Sequence, residues 1–250
     1  MNPLPRIIVV HLITKLELGG AQLNTLYTVT HLDRNAFDVY LACGPGGQLA
    51  TRLSKTERMV AIPALTRKIS PIKDGRAFFS LLRLFRKVRP HIVHTHSSKA
   101  GILGRLAAFV ARVPIVIHSV HGFSFSPQQP YLKRNLYLFF EKICRPLTSH
   151  FIFVAESDIR SARTRDLVDG NYSLIRSGFP LQKFRASASN TAALKAKYGL
   201  PAGSFVCGVI APFKPQKGLF HLLDIAARVI AKNPAVLFFI AGDGEQRREL

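Results

Sequence analysis

Short apolar runs alternate along this chain with longer segments of helical period, and this alternation constrains the fold more than any other feature of the sequence. The predicted strands are residues 7–13, 39–43, 60–62, 91–94, 114–118, 151–154 and 174–175. The predicted helices lie near residues 21–31, 77–88, 101–111, 131–143 and 158–165. Strands that are apolar on both faces are typical of a parallel sheet covered by helices on both sides. The pattern therefore predicts the α/β class.

The alternation stops and then restarts, which predicts two domains. Residues 181–203 are polar and mixed and end in the turn signal LPAGS. We therefore expect a first domain over residues 1–180, a linker over 181–203 and a second domain that starts at 204. The second domain has a strand at 205–210, a helix at 219–232 and a strand at 236–241. Because VLFFIA is typical of an interior strand, we expect this second sheet to be incomplete in the chain.

The charge of the chain favours anionic partners. Lys and Arg number 35 against 14 Asp and Glu, a formal net charge of +21. No acidic residue lies between Asp74 and Glu141, whereas basic residues recur throughout that stretch. Phosphates, nucleic acid and anionic lipid all fit such a charge. Nucleic acid is disfavoured, because the chain has no recognisable recognition module and no regular interleaving of basic and aromatic residues.

Cysteine usage and hydropathy favour a cytoplasmic protein. The three cysteines are far apart and form no C-x-x-C pair, so neither a disulfide framework nor a thiolate zinc site is indicated. No apolar stretch approaches the ~18 residues of a membrane-spanning helix. The early run IIVVHLI is too short for a spanning helix and lacks a small-residue cleavage site, so we expect a first strand and no export signal.

Ligands of an open parallel sheet bind outside the carboxyl ends of its strands, which directs attention to the segments after the predicted strands. In LELGGAQ, Gly19 and Gly20 would let backbone N–H groups approach an anion at a helix start. A plain tight turn is the alternative, and a G-x-G-x-x-G fingerprint is absent. In PFKPQKGL, Lys214 and Lys217 flank a proline turn that leads into a helix, an arrangement suited to a diphosphate leaving group. A solvated basic loop is the alternative there.

Histidines crowd two of these segments. In HIVHTHSSKAG, the alternation of strand side chains puts His94 and His96 on one face and His91 on the other, so only two of the three converge. A catalytic zinc usually has three protein ligands and second-shell carboxylates, so a zinc site at these histidines is disfavoured. The chain also has no D-x-D pair, so a divalent cation that bridges a nucleotide diphosphate is not indicated. Ordinary strand-end histidines remain one interpretation. The other is that Ser98 and Lys99, with the preceding serine, donate to a sugar hydroxyl or phosphate at a helix start.

The second histidine segment is HSVHGFSF, which contains His118 and His121. A histidine followed by glycine on a strand-end loop is able to present its ring or its backbone to a bound sugar. A half-buried core or surface histidine is the alternative for both residues.

Several motifs taken together resemble a known family. In chain order they are LGGAQLNTL, HIVHTHSSKAGILGRLAA, VHGFSF, FVAESDIR, SGFP, PQKG and GDG. They resemble the retaining glycosyltransferases of family 4, and the resemblance extends over essentially all 250 residues. It implies the GT-B fold, with two facing Rossmann-like domains, an acceptor-binding N-terminal half and a donor-binding C-terminal half. It also implies a nucleotide diphosphosugar in the cleft, no cofactor and no metal ion.

The resemblance assigns roles to individual positions. By the family's motifs, His121 lies beside the transferred sugar and Lys217 contacts the diphosphate, so these two are the candidate catalytic residues. The candidate donor-binding residues are Gly19, Gly20, Lys214, Lys217, Gly242 and Gly244. The candidate acceptor-side residues are Ser98 and Lys99.

The chain departs from the family in two places. Residues 211–213 read APF where the family has G-R-L, so an expected arginine is missing and Lys214 is a partial substitute. The paired glutamates of the family's E-x7-E motif would lie beyond Leu250. Two interpretations follow: a retaining, metal-independent glycosyltransferase, or a non-catalytic fragment that needs the missing part or a partner subunit.

The acceptor is predicted from charge and amphipathicity. Residues 131–143, YLKRNLYLFFEKI, have the composition of a helix that lies on anionic lipid. A core helix with a solvated basic edge is the alternative. The first interpretation predicts a peripheral protein on the inner face of the cytoplasmic membrane. Its acceptor would be a saccharide or a lipid-linked saccharide in surface polysaccharide or glycolipid biosynthesis.

Overall fold

The computed structural model describes residues 5–53, 58–123, 125, 130–178, 181–183 and 191–250. The chain divides into two compact units, Met1–Phe179 and Pro180–Leu250. Residues 184–190 of the predicted linker lie outside the described residues.

In its described residues, the first unit is a seven-stranded parallel sheet with five α-helices. Its strands are β1 (Ile7–Ile13), β2 (Phe37–Cys43), β3 (Arg58–Ala61), β4 (Ile92–His96), β5 (Ile115–Val120), β6 (His150–Phe153) and β7 (Tyr172–Leu174). Its helices are α1 (Gly20–His31), α2 (Pro71–Val88), α3 (Ser98–Val110), α4 (Tyr131–Cys144) and α5 (Glu156–Thr164). The strand order is β3-β2-β1-β4-β5-β6-β7, and every neighbouring pair is parallel. The predicted α/β class is confirmed.

Apolar side chains cover both faces of this sheet, as the uninterrupted apolar strands predict. On one face, Val10 and Leu12 of β1 pack with Ala107 of α3 and Phe85 of α2. On the other face, Ile13 of β1 belongs to a cluster that includes residues of α1. Because side chains alternate along a strand, the residue between Val10 and Leu12 shares the face of Ile13.

Helix α2 starts earlier than predicted, at Pro71 instead of residue 77. Proline is favourable in the first turn of a helix, where its missing N–H has no intrahelical partner. The backbone N–H of Ser70, the N-cap residue, donates to the carboxylate of Asp74. The first turn is therefore stabilised by proline and by this capping contact, and neither is visible in the apolar periodicity that predicts a start at residue 77.

The second unit is smaller. It contains α6 (Thr191–Lys197) and a two-stranded parallel sheet of β8 (Phe205–Ile210) and β9 (Val236–Ala241), with α7 (Leu219–Lys232) between the strands. Val236 is the buried residue of β9, and its other side chains are half-buried. Among the described helices of both units, none combines the length and the apolar composition needed to cross a bilayer.

Candidate functional site

The order of the strands places a candidate site at the carboxyl edge of the first sheet. From β1 the sheet extends to β2 and β3 on one side and to β4 and β5 on the other. In open α/β sheets ligands bind at such a switch point, outside the carboxyl ends of the strands. Gly19, Gly20, Ser98, Lys99 and His121 all follow β1, β4 or β5 closely in sequence, so the fold brings these predicted residues to one edge.

Two hydroxyl side chains join β1 to β4 at the switch point. Thr14 Oγ1 lies 2.8 Å from Ser97 Oγ, and the backbone N–H of Ala100 in α3 donates to Thr14 Oγ1 over 3.3 Å. Ser97 has φ of 64°, which is uncommon for a residue other than glycine and is often found at functional sites. The Ser97 hydroxyl is thus hydrogen-bonded to Thr14 within the protein. Thr14 is a site residue that the sequence patterns did not indicate.

A chain of three imidazole rings runs from the middle of the sheet to the loop after β5. His11 Nδ1 lies 3.1 Å from His96 Nε2, and His96 Nδ1 lies 3.2 Å from His121 Nε2. His11 and His96 are each 1% exposed, so the chain is largely shielded from water. The candidate sugar-contacting residue, His121, is therefore held by a buried neighbour and not only by its own loop.

The loop that carries His121 has its own supports. Gly122 has φ of 92°, a conformation that L side chains rarely adopt, which explains why glycine follows the histidine. The backbone of Gly122 also donates a hydrogen bond to Asp158, in the first turn of α5. Asp158 is a second residue near the site for which the sequence analysis predicted no role.

Burial keeps these histidines neutral near pH 7. Desolvation lowers the pKa of His121 to about 4, and desolvation followed by repulsion from Arg34 lowers the pKa of His11 to about 4. The pKa of His96 lies well below its usual value, mainly because of burial and then because of neighbouring histidines, His94 first. A neutral imidazole has one N–H donor and one acceptor nitrogen, so each hydrogen bond in the chain has a direction.

The direction of these hydrogen bonds is determined by His11, the buried end of the row of three imidazoles. His11 Nε2 is buried and has no hydrogen-bond partner among the described residues. If the N–H groups pointed inward, this atom would carry an unpaired buried proton, and orphaned N–H donors are rarer in proteins than unpaired acceptors. We infer that His11 donates from Nδ1 to His96 and that His96 donates from Nδ1 to His121. His121 then carries its proton on Nδ1 and acts as a hydrogen-bond donor at that atom.

The structure also gathers three histidines that together have the geometry to approach one ion. Ring nitrogens of His11, His94 and His96 lie within 4.8 Å of one another. These rings already use nitrogens in hydrogen bonds, with His94 Nε2 2.8 Å from Ser119 Oγ, and none of their described contacts is with a carboxylate. Among the described residues, these three are the ones that could hold a metal ion, and the expected absence of a metal stays a prediction. His91 lies at the other end of β4, where its Nδ1 accepts from the Ile8 backbone, which confirms that only two of the three histidines in the motif converge.

Lys99 and Ser98 begin helix α3, but their side chains face the interior. The Lys99 ammonium group pairs with Asp74 and donates to the carbonyl oxygen of Lys68, and the residue is only 8% exposed. Ser98 is buried as well. The predicted acceptor contact of Lys99 would require this ion pair to open, and it stays a prediction.

His118 belongs to the core on the opposite face of the sheet. Its Nδ1 lies 2.8 Å from Thr95 Oγ1, and its ring packs edge-on against Phe151. A Cβ added at Gly101 would overlap the His118 ring, so glycine in α3 makes room for it. Of the two interpretations of His118, the structural one is confirmed.

The Gly19–Gly20 turn leaves the start of α1 open. Gly20 is the first residue of α1, and a Cβ added there would meet no atom within 4 Å. The first turn of α1 has no acidic side chain to neutralise the positive end of the helix dipole. This geometry is compatible with the anion contact predicted for the two glycines.

The remaining predicted donor residues lie in the second unit. Lys217 ends the turn Pro215–Lys217 directly before α7 and is exposed, and Lys214 precedes that turn. Gly242 and Gly244 follow β9, where added Cβ atoms would overlap backbone atoms of Ala211 and Phe213. Packing alone thus requires glycine at both positions, so their predicted nucleotide contacts stay predictions.

Comparisons with known proteins agree with the resemblance seen in the motifs. The family model described as Glycosyltransferase Family 4 matches residues 18–183. The chain is 37% identical over 237 residues, 93% of its length, to a UDP-Gal:α-D-GlcNAc-diphosphoundecaprenol α-1,3-galactosyltransferase of Escherichia coli. It is 25% identical over 228 residues, 89% of its length, to the capsular polysaccharide biosynthesis glycosyltransferase CapM of Staphylococcus aureus. The chain spans 61% and 58% of the length of these two relatives.

A solved structure shows the same fold. The glycosyltransferase from Rickettsia africae superposes with a TM-score of 0.69 at 12% identity, over 94% of this chain and 68% of that one. The expectation of a GT-B type fold is confirmed by this similarity.

Proposed function

The chain belongs to glycosyltransferase family 4, and on this premise we propose that the protein transfers a sugar from a nucleotide diphosphosugar to an acceptor hydroxyl. We propose further that the transfer retains the anomeric configuration and needs no metal ion. The observation that carries the proposal is the meeting of the α1 N-terminus, the Thr14–Ser97 bridge and His121 at the switch point of the first sheet.

Catalysis then has two physical tasks, to orient the transferred sugar and to stabilise the departing diphosphate. The Nδ1–H of His121, oriented by His96, suits a sugar oxygen as its partner. Helix N-termini and ammonium groups stabilise a diphosphate without a metal ion, and Lys217 stands directly before α7. Neither α1 nor α7 has an acidic residue in its first turn to compete for these donors.

Substitution of Lys217 tests this assignment. In the full-length protein, Lys217→Ala should lower transfer about 100-fold, the cost of removing one preorganised donor from a developing negative charge. The matched control is Lys232→Ala, an exposed lysine at the other end of α7. Equal turnover in the two variants would remove Lys217 from the mechanism, and loss of activity in EDTA that Mg²⁺ restores would contradict metal independence.

The acceptor is proposed to be a lipid-linked saccharide. The Escherichia coli relative is named for a diphosphoundecaprenol acceptor, and the Staphylococcus aureus relative for capsular polysaccharide biosynthesis. A charge of +21 favours a substrate with a diphosphate group.

We also propose that the protein binds the inner face of the cytoplasmic membrane through its basic apolar face. This face consists of the outward sides of α2 and α4, where the exposed apolar residues are Ile72, Phe79, Tyr131, Leu132, Leu136, Phe139 and Ile143. Basic residues accompany them, among them Lys73, Arg76, Arg83, Lys133 and Arg134. Such a mixture is typical of surfaces that lie on anionic lipid.

Vesicle flotation tests the membrane proposal. The protein should float with vesicles that contain anionic lipid and stay behind with neutral ones, and rising salt should weaken the binding. Identical behaviour towards both kinds of vesicle would refute it.

A further inference from the structure

An apolar cavity lies between the three helices on one face of the first sheet. Its volume is about 350 Å³, within the size range of small-ligand pockets. Its walls include Leu103 and Leu106 of α3, Leu136 and Phe140 of α4, and Ile69 just before α2. Nearly all of its accessible lining is apolar. The cavity flanks the first turns of α3, which starts at the candidate site.

The two charged residues at the cavity wall neutralise each other. Lys99 and Asp74 line the cavity, but their charged groups form an ion pair, and the ammonium also donates to the carbonyl oxygen of Lys68. The lysine therefore offers its hydrocarbon stem to the cavity while its charge is held elsewhere. A polar ligand would find almost no group to fix its orientation, whereas a hydrocarbon chain needs none.

The cavity opens within the basic apolar face defined above. Leu136 and Ile69 are 40% and 39% exposed, so cavity wall and outer surface are continuous. On α4, exposed Leu132, Leu136, Phe139 and Ile143 recur at helical spacing and form one stripe. Large exposed apolar surfaces with a polar rim mark interaction sites.

The charges around the cavity specify the head group of the ligand. Asp74 and Glu141 are the acidic residues at the two ends of the basic stretch. Asp74 forms an ion pair with Lys99, and Glu141 forms one with Arg105. In the part of the chain that the structure describes, none of the other basic residues of that stretch forms an ion pair: Arg76, Arg83, Arg86, Lys87, Arg89, Arg112, Lys133 and Arg134. Of these, Arg76 lies within one turn of Asp74 on α2, and Lys133 lies one turn before Leu136 on α4, and both are exposed. Unpaired cations beside an apolar cavity complement an anionic group joined to a hydrocarbon chain.

We propose that this cavity binds the hydrocarbon chain of a lipid phosphate or diphosphate, the acceptor class of the reaction. The hydrocarbon chain of the lipid enters between α2 and α4 and lies along α3. Its phosphate group remains outside, among the basic side chains. The assignment rests on the proposed function for the identity of the acceptor, but the cavity itself is tested by binding alone. It gives the first unit a way to select lipid-linked acceptors over free saccharides.

Calorimetry with two soluble probes tests the proposal. Dodecyl diphosphate below its micellar concentration should bind at least 100-fold more tightly than butyl diphosphate, because burial of each methylene strengthens binding about fourfold. Leu103→Trp fills the cavity and should weaken dodecyl diphosphate at least tenfold while leaving butyl diphosphate unchanged. Leu194→Trp makes the same substitution on α6 of the second unit, at a residue that is 50% exposed and outside both the lining and the basic apolar face, and it should retain wild-type binding.

A second variant guards against misfolding. If circular dichroism shows that Leu103→Trp does not fold, Leu106→Gln introduces a polar wall without added bulk and should produce the same loss. Equal affinity for the two probes, or equal effects of the Leu103 and Leu194 variants, would overturn the assignment. Loss of chain-length dependence in Leu132→Trp, on the exposed stripe of α4, but not in Leu103→Trp would also overturn the assignment, because the hydrocarbon chain would then lie on the outer surface.

Nucleotide binding separates this inference from the proposed function. Affinity of the same protein for uridine diphosphate, without selectivity for the dodecyl probe, would remove the cavity assignment alone. Selectivity for the dodecyl probe in a protein that binds no nucleoside diphosphate would leave the cavity as a lipid site and remove the transferase proposal.

Discussion

Replacement of Glu141 by glutamine should destabilise the first unit far more than any exposed charge substitution. Arg105 is fully buried and donates through Nη2 to Glu141, through Nε to the Gly101 carbonyl over 3.0 Å and through Nη1 to Thr148 Oγ1 over 3.4 Å. Glu141 is 4% exposed. Glu141→Gln keeps the shape of the side chain and removes the charge that balances a buried guanidinium.

The magnitude follows from that burial. Loss of one partner of a buried ion pair costs about 3–5 kcal/mol, because the remaining charge stays in a medium that solvates it poorly. With a urea dependence of about 2 kcal/mol per M, the midpoint of unfolding should fall by about 2 M. The matched control is Asp166→Asn, whose partner Arg145 is 2.7 Å away but whose own side chain is 76% exposed. An exposed ion pair contributes about 0–1 kcal/mol to the free energy of unfolding, so the urea midpoint of Asp166→Asn should stay close to that of the wild type.

Urea unfolding followed by far-ultraviolet circular dichroism measures both variants, since the chain has no tryptophan to report by fluorescence. Simultaneous replacement of both partners, Arg105→Met with Glu141→Leu, should recover most of the loss because no buried charge remains. The reasoning is refuted if Glu141→Gln and Asp166→Asn lower the midpoint equally, or if the double replacement is less stable than Glu141→Gln alone.

Three further predictions concern the histidines and the second unit. Stability of the first unit should fall as pH decreases from about 6.5 towards 4, since the buried histidines have lowered pKa values and the unfolded chain binds more protons. The fall should be shallower in His96→Gln by on the order of 1 kcal/mol per pH unit, because one titrating buried imidazole is removed. Long-range ¹H–¹⁵N spectra should place the proton of neutral His121 on Nδ1, and a proton on Nε2 would contradict the direction of the imidazole chain. Gly244→Ala should weaken the second unit by about 1–3 kcal/mol, because its Cβ would overlap backbone atoms of Phe213. Gly208→Ala, with no neighbour within 4 Å, should leave hydrogen exchange in β8 unchanged, so equal exchange in both variants would disprove the packing argument.

The pattern of apolar residues predicts most of the first fold because it is a local property. Seven apolar runs and the five helical segments between them correspond to β1 to β7 and α1 to α5. Boundaries are less predictable where the signal is not apolar, as at Pro71, where proline and a capping carboxylate start the helix. The carboxyl edge of the sheet was likewise predictable, because strands joined by helices run parallel and end together.

The contents of the site depended on tertiary structure. His11 lies in the first apolar run and showed no functional signal, and it meets His96 only because β1 pairs with β4 in the register that aligns His11 with His94. The packing of α2 against α3 supplies Lys99 with Asp74, an ion pair that the sequence did not indicate. Periodicity specifies which face of its own element a side chain occupies. Strand order and register decide which side chain from a distant part of the sequence contacts it. That contact determines how deeply the side chain is buried, whether its charge is paired and in which direction its hydrogen bonds run.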